Sequence, residues 1–228
     1  MNGTLRLVAE TACNTAVYAA LLFVPAGTLH WWRAWVLLAA LFAGMVVMRI
    51  WVFRANPALL AERRRSPLQP GQPPADKALV VAFMLVFPAY LVFIPLDVFH
   101  WHLMGRPSPV ISSLGLALSA AGWIVITLAF RENAFAAAIV KHQEERLQTV
   151  VDSGVYRFVR HPLYAGVLLA TIGVALWLQS SAAVVAAAAP VALVVLRILV
   201  EEKFLRARLA GYDEYAERVS NRLLPRIW

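Results

Sequence analysis

Charge is what this chain has least of. Only 15% of its 228 residues are Asp, Glu, Lys or Arg, against 61% hydrophobic, which is too little polar surface to cover a water-soluble globule of this size. The deficit excludes a soluble domain and leaves an integral membrane protein. Acidic charge is scarcer than basic, with 13 Asp and Glu against 21 Lys and Arg, a formal charge of +8. In a soluble protein that excess would raise nucleic acid as a partner. Here the Lys and Arg residues lie between apolar runs, where they set topology beside an anionic leaflet, and no nucleic-acid partner is expected. Cysteine is nearly absent. Cys13 stands alone within an apolar stretch, which excludes an intramolecular disulfide and a Cys-based metal site, and no metal is expected.

What is present is a series of apolar runs, and a spanning helix needs roughly 20 mostly apolar residues. On that measure the fold class is all-α, a polytopic transmembrane helical protein of about six membrane segments with a C-terminal helix on the cytosolic side. The segments fall at about residues 11–29, 33–53, 78–99, 110–130, 163–179 and 182–200. No cleavable signal peptide is evident, and the first run is read as a retained helix. His30, Trp31, Trp32 and Trp35 suit an interfacial aromatic belt. Proline density between Arg54 and Lys77 argues against a helix there. Ser112, Ser113, Gly115, Ser119 and Gly122 allow close helix packing in the fourth run. The last two runs form a hairpin in which Pro190 predicts a kink, and residues 201–228 read as an amphipathic tail helix.

With the N-terminus inside, 17 of the 21 Lys and Arg residues face the cytoplasm and only Arg33 and Arg106 face out. This bias predicts that both termini and the polar segments 54–77, 131–162 and 201–228 are cytoplasmic, in a bacterial inner membrane. Residues 1–130 are expected to form four N-terminal transmembrane helices, and 131–228 a cofactor-binding region of loop, hairpin and tail.

Within that second region the chemistry concentrates. Arg197 lies inside an apolar run, where a charge costs about 2.5–3.5 kcal/mol on insertion scales and calls for a partner or a polar cavity. Glu201, four residues on, shares its helix face and is positioned to pair with it. Upstream, Gly154 permits a turn closed to other residues, and Pro162 suits a helix's first turn, which puts His161 at the helix start. Free N–H groups there, with Arg160 and His161, make an anion site. Tyr156 and Tyr164 supply aromatic faces and hydroxyls. An anion site facing carboxylates fits a zwitterionic, partly cationic cofactor, and electrostatics alone does not name it.

Ser153-Gly154-Val155-Tyr156, Arg160-His161-Pro162-Leu163-Tyr164-Ala165-Gly166, then Arg197, Glu201-Glu202 and Leu205, and finally Tyr212, Glu214-Tyr215 and Arg218-Val219 carry a resemblance. Over about residues 131–228 the chain resembles the C-terminal signature of the isoprenylcysteine carboxyl methyltransferase and phospholipid methyltransferase superfamily. The resemblance implies a methyltransferase that uses S-adenosylmethionine, releases S-adenosylhomocysteine and acts on a membrane lipid or lipophilic small molecule entering from the bilayer. Cofactor contacts carried over from the family fall on Gln148, Thr149, Val150, Val151, Tyr156, Arg160, His161, Pro162, Leu163, Tyr164 and Glu201. Arg197 falls on the acceptor-side arginine, and Glu202 is expected to support Glu201 or take a proton. The chain departs from the carboxyl methyltransferases at Gln148, where they usually carry His, and at Lys141, near where they carry Gln. Carboxylate O-methylation is the first expectation and methylation of a phospholipid amine, a small amine or a thiol the alternative. An NADPH-dependent reductase of the sterol-reductase kind and a non-enzymatic membrane protein are the readings of another class.

Overall fold

The structure is a computed structural model that describes residues 3–69, 71–140 and 143–228; Lys141 lies outside the described residues. The described residues are mainly helical, with one long connection between residues 133 and 161. Helix α1 (Gly3–Ala26) and α2 (Trp32–Ala55) form a hairpin through Gly27, whose φ of 67° closes the turn. Buried Trp31 packs edge-on against Phe23 and Phe99 at its tip. Helix α1 starts eight residues earlier than the apolar run because its polar first turns are paired. Glu10 takes Arg6 one turn away at 3.0 Å, and also Arg49 of α2 at 3.2 Å and Arg64 at 2.9 Å.

The 54–77 stretch holds a helix after all, α3 (Pro57–Arg63). Pro57 sits in its first turn, where the missing N–H costs no hydrogen bond, so this proline starts a helix where it was expected to forbid one. Helix α4 (Pro74–Leu96) continues into a π-turn at Asp97–Trp101, and α5 (Pro109–Glu132) begins under a Ser108 cap whose Oγ accepts from Ile111 N. Then come α6 (Pro162–Trp177), α7 (Ser181–Ala186) and α8 (Ala188–Arg208).

Among the described residues five helical stretches are long and apolar enough to cross a membrane: Leu5–Ala26, Trp32–Val52, Pro74–Trp101, Pro109–Glu132 and Ser181–Arg208. The remaining expected segment, α6, has 16 residues, about 24 Å at 1.5 Å per residue, against a hydrocarbon core of about 30 Å. The last span is interrupted at Ala187, and Pro190 lies harmlessly in the first turn of α8. The expected 201–228 helix is split: residues 201–208 are the last turns of α8, which ends at extended Leu209, Gly211, at φ 80°, reverses the chain, and α9 (Tyr212–Arg218) follows. Beyond α9 the backbone folds back, with Arg160 N donating to Asn221 O at 3.0 Å and His161 N to Arg222 O at 2.9 Å.

The pair α5 and α6 is the tightest in the molecule, and small residues make it so. Gly115 and Gly122 on α5 meet Gly173 and Gly166 on α6. A methyl at Gly122 would stand 2.5 Å from Gly166 O, and one at Gly166 2.7 Å from Gly122 O, so the backbones themselves are in contact. This joins a helix of the N-terminal set to the first helix of the 131–228 region and anchors the start of α6.

Polar contacts gather at the two ends of the bundle. One end is a closed set of caps: Arg33 Nη1 donates to Trp177 O at 3.1 Å, Trp177 Nε1 to Arg33 O at 2.8 Å, and Ser180 Oγ to Asp97 at 2.6 Å. The other end holds α3, the 133–161 segment, the C-terminal half of α8 and α9.

Candidate active site

At this second end α6 begins at Pro162, with its first-turn N–H groups free and His161 at the N-cap. Gly154, at φ 55°, opens a single helical turn (Gly154–Arg157) that buries Tyr156. Tyr156 Oη accepts from Asn133 Nδ2 at 3.3 Å, and its carbonyl accepts from Tyr215 Oη at 2.8 Å. The strip 133–151 and helix α9 close over these groups. Together they enclose a narrow cavity of about 100 Å³.

Of the residues singled out in the sequence, Gln148, Thr149, Val150, Val151, Tyr156, Arg160, His161, Leu163, Tyr164, Arg197 and Glu201 all line this cavity. Pro162 does not, being the buried first residue of α6. Glu202 does not either. Successive residues of a helix point about 100° apart, so Glu201 faces the cavity while Glu202 faces the tail. There its carboxylate is saturated: Oε1 takes Arg160 Nε at 2.8 Å and His161 Nε2 at 3.1 Å, and Oε2 takes Arg222 Nε at 3.0 Å. Arg160 also donates to Val219 O at 2.7 Å and Ser220 O at 2.9 Å. The anion that Arg160 and His161 hold is therefore Glu202, and the expected use of Glu202 as a proton acceptor meets a carboxylate with both oxygens occupied.

Arg197 departs from its expected pairing too. Its partner is Asp76, at the start of α4, with Nη1 3.2 Å from Oδ1; Nη2 donates to Ala138 O at 2.7 Å and Nε to Tyr164 Oη at 2.8 Å. Tyr164 Oη in turn donates to Glu201 Oε2 at 2.6 Å, so the tyrosine hydroxyl stands between the arginine and the glutamate. Asp76, fully buried, also accepts from Val140 N at 2.9 Å and Gln72 Nε2 at 2.5 Å. A relay Asp76, Arg197, Tyr164, Glu201 thus ties α4, α8, α6 and the 138–140 strip into one wall. Asp76 was missed in the sequence; its only signal is an acid in the first turn of a long apolar helix.

The tail adds Tyr212 and Tyr215 to the lining. Burial pushes the hydroxyls of Tyr156, Tyr212 and Tyr215 up from the ordinary tyrosine range, so they act as neutral groups at physiological pH. Tyr212 Oη is buried with no hydrogen-bond partner among the described residues. It is an unpartnered polar group on a residue that lines a cavity also offering Glu201 and the first-turn N–H groups of α6. That donor set fits a molecule carrying an ammonium, hydroxyls and a carboxylate. At about 100 Å³ the cavity is narrower than the ~300–1,000 Å³ of ligand sites generally, so its roof has to yield to admit a nucleoside-sized molecule.

On the other side of Leu163 and Tyr164 lies a second cavity, of about 850 Å³, in the middle of the bundle between α1, α2, α4, α5 and α6. Its walls are apolar, with Phe83, Met84, Phe87, Trp123 and Phe130 among them; its charged groups are Glu10, Arg49, Arg63 and Arg64, of which Arg63 reaches the first cavity's lining at Ala136 O, 3.0 Å away. Leu163 and Tyr164 belong to both linings and form the partition. Arg197 lines only the narrow cavity.

Residues 110–210 match the phospholipid methyltransferase family. The match begins at α5, upstream of the stretch on which the resemblance was read, and ends before α9; it takes in Arg160–Gly166, Arg197 and Glu201. No curated protein matches the chain.

Proposed function

We propose, with the family match over 110–210 as premise, that this protein is an integral membrane methyltransferase that uses S-adenosylmethionine and acts on a lipophilic acceptor. The observation that carries the proposal is the juxtaposition of two chambers across Leu163 and Tyr164, one polar and lined by the family's residues, the other large and apolar. Glu201, Tyr156, Tyr212, the 148–151 strip and the start of α6 would hold the cofactor and the apolar chamber the acceptor, reached from the bilayer; transfer requires the Leu163 and Tyr164 side chains to part so that the acceptor atom comes within about 3–3.5 Å of the methyl.

A bound S-adenosylmethionine supplies an activated methyl on a sulfonium, so the protein is left mainly with alignment and exclusion of water. In this assignment Glu201 offers its carboxylate to cationic or hydroxyl groups, and Tyr164 fixes it in place. Arg197 is a positioning residue, since each of its three nitrogens already has a protein partner. Arg160, His161, Arg222 and Glu202 fasten the roof. Carboxylate O-methylation is the acceptor chemistry we assign first. Methylation of a phospholipid amine is the second reading, favoured by the description of the matching family.

Calorimetric titration of the purified protein in nanodiscs tests the cofactor assignment. S-adenosylmethionine and S-adenosylhomocysteine are expected to bind, and Glu201→Gln to weaken both at least tenfold without changing the melting temperature. Absence of binding to the wild type, or unchanged affinity in Glu201→Gln, overturns it.

A further inference from the structure

The large cavity has a cation that nothing described so far uses. Arg63, at the end of α3, lies against the Phe130 ring with its guanidinium carbon 4.4 Å from the centroid, and Nη1 donates to Ala136 O at 3.0 Å. These are its contacts among the described residues, and they leave most of its five N–H donors open. Its neighbours Arg49 and Arg64 on the same wall are both spent on Glu10. Arg197, in contrast, is not among the residues lining this cavity, although its guanidinium carbon lies 5.6 Å from the centroid of Phe83 in the cavity wall, and it is neutralised by Asp76.

We propose that Arg63 holds an oxyanion of the acceptor, and that the acceptor is therefore an anionic amphiphile, its apolar part in the central cavity and its carboxylate or phosphate against Arg63. The proposal rests on the function assigned above and moves the acceptor-side role from Arg197 to Arg63. Three observations converge on it. Arg63, Arg64 and Arg49 against Glu10 give the polar end of the cavity a formal charge of +2 in an otherwise apolar chamber, and such a chamber rejects a free cation and rewards an anion. Desolvation lowers the pKa of Arg63, the mark of a guanidinium held in low dielectric without a carboxylate of its own. Finally, the position is right for the chemistry: Arg63 donates to Ala136 O while Arg197 donates to Ala138 O, so the two arginines grip the same strip, and Arg63 shares its cavity with Tyr164 on the partition. An anion seated on Arg63 is thereby held on the acceptor side of the wall that carries Glu201.

The same oxyanion chemistry comes from a carboxylate that is itself the acceptor or from a lipid phosphate beside it. Binding of matched sixteen-carbon probes in nanodiscs, followed by thermal shift and by competition with a fluorescent fatty acid, separates these sources: palmitate, hexadecyl phosphate, hexadecanol and hexadecylamine. We expect palmitate or hexadecyl phosphate, or both, to bind at least tenfold more tightly than the alcohol and the amine. Palmitate ahead identifies the carboxylate, and hexadecyl phosphate ahead the phosphate. Arg63→Gln should abolish the preference for the anion while hexadecanol binds as before, and Arg63→Lys, which keeps the charge, should retain part of it. Equal binding of all four probes to the wild type, or an anion preference that survives Arg63→Gln, overturns the proposal. S-adenosylmethionine titrated into the same samples keeps the two assignments apart: cofactor binding without anion preference sinks this proposal alone, and anion preference without cofactor binding sinks the methyltransferase reading.

Discussion

Replacing Glu202 by Gln distinguishes a roof fastener from a proton acceptor. In the folded protein its carboxylate joins three side chains drawn from two segments, the guanidinium of Arg160 and the imidazole of His161 ahead of α6 and the guanidinium of Arg222 beyond α9. The Arg160 and Glu202 side chains are 4% and 5% exposed at a separation of 2.8 Å, so the pair is a buried one. Breaking a buried pair from one side leaves an uncompensated charge and costs about 3–5 kcal/mol. Gln keeps one acceptor oxygen but turns an amide N–H group towards cationic donors, and the carbonyls of Val219 and Ser220 still hold Arg160, so we take the lower figure. At about 1.4 kcal/mol per factor of ten, 3 kcal/mol shifts the docked tail towards release by about 100-fold. Hydrogen exchange in nanodiscs reads this directly: amides of 212–223 should exchange about 100-fold faster, with those of α5 and α6 unchanged. Cofactor affinity should fall in parallel, because Tyr212 and Tyr215 leave with the tail. Arg222→Ala, which removes a cation 30% exposed, should produce the same effect at about 1 kcal/mol or less. Unaltered exchange together with lost turnover in Glu202→Gln would refute the fastening role and return Glu202 to catalysis.

Two further outcomes follow from the packing and the tyrosines. Gly122→Ala should cost about 1–3 kcal/mol, read as a lower melting temperature in detergent, because the added methyl meets Gly166 O at 2.5 Å; adding Gly166→Ala should cost less than a second independent loss, since both methyls force apart the same contact. Tyr156, Tyr212 and Tyr215 have folded pKa values above their unfolded value near 10, so the folded state holds protons that the unfolded state gives up. Stability is then full below about pH 10 and is lost as the pH rises beyond it, by up to about 1.4 kcal/mol per pH unit for each tyrosine; a spectrophotometric alkaline titration should show these phenols ionising only together with unfolding.

How far the sequence reached is best seen at single residues. The apolar runs located the long spans because membrane helices have to satisfy their own backbone, and that constraint is written in composition. Gly115 and Gly122 announced a close helix contact, and their partners proved to be Gly173 and Gly166. Gln148 to Val151, Tyr156, His161, Tyr164 and Glu201, all singled out in the sequence, line one cavity. What helix periodicity could not supply is who stands between residues on one face. Arg197 and Glu201 are one turn apart, yet Tyr164 occupies the space between them and Asp76, 121 positions upstream of Arg197, takes the charge. Arg63 and Arg222 were hidden for another reason: each sits in a segment read by its charge as solvated, and each is drawn inward by a contact distant in sequence, Ala136 and Glu202. The tail helix expected over 201–228 was cut short by Gly211, a one-residue reversal that a pattern of amphipathic spacing does not register.

The partition of Leu163 and Tyr164 has a kinetic meaning for the function proposed here. In the proposed function the two chambers are filled from two phases, the cofactor from water and the acceptor from the bilayer, and meet only where the wall parts for transfer, so neither obstructs the approach of the other. Rate laws then take a random-order form, and each product inhibits competitively only against the reactant of its own phase. The acceptor's half-saturation is a mole fraction in the membrane, so diluting the protein with inert lipid slows turnover while leaving the cofactor's molar constant where it was.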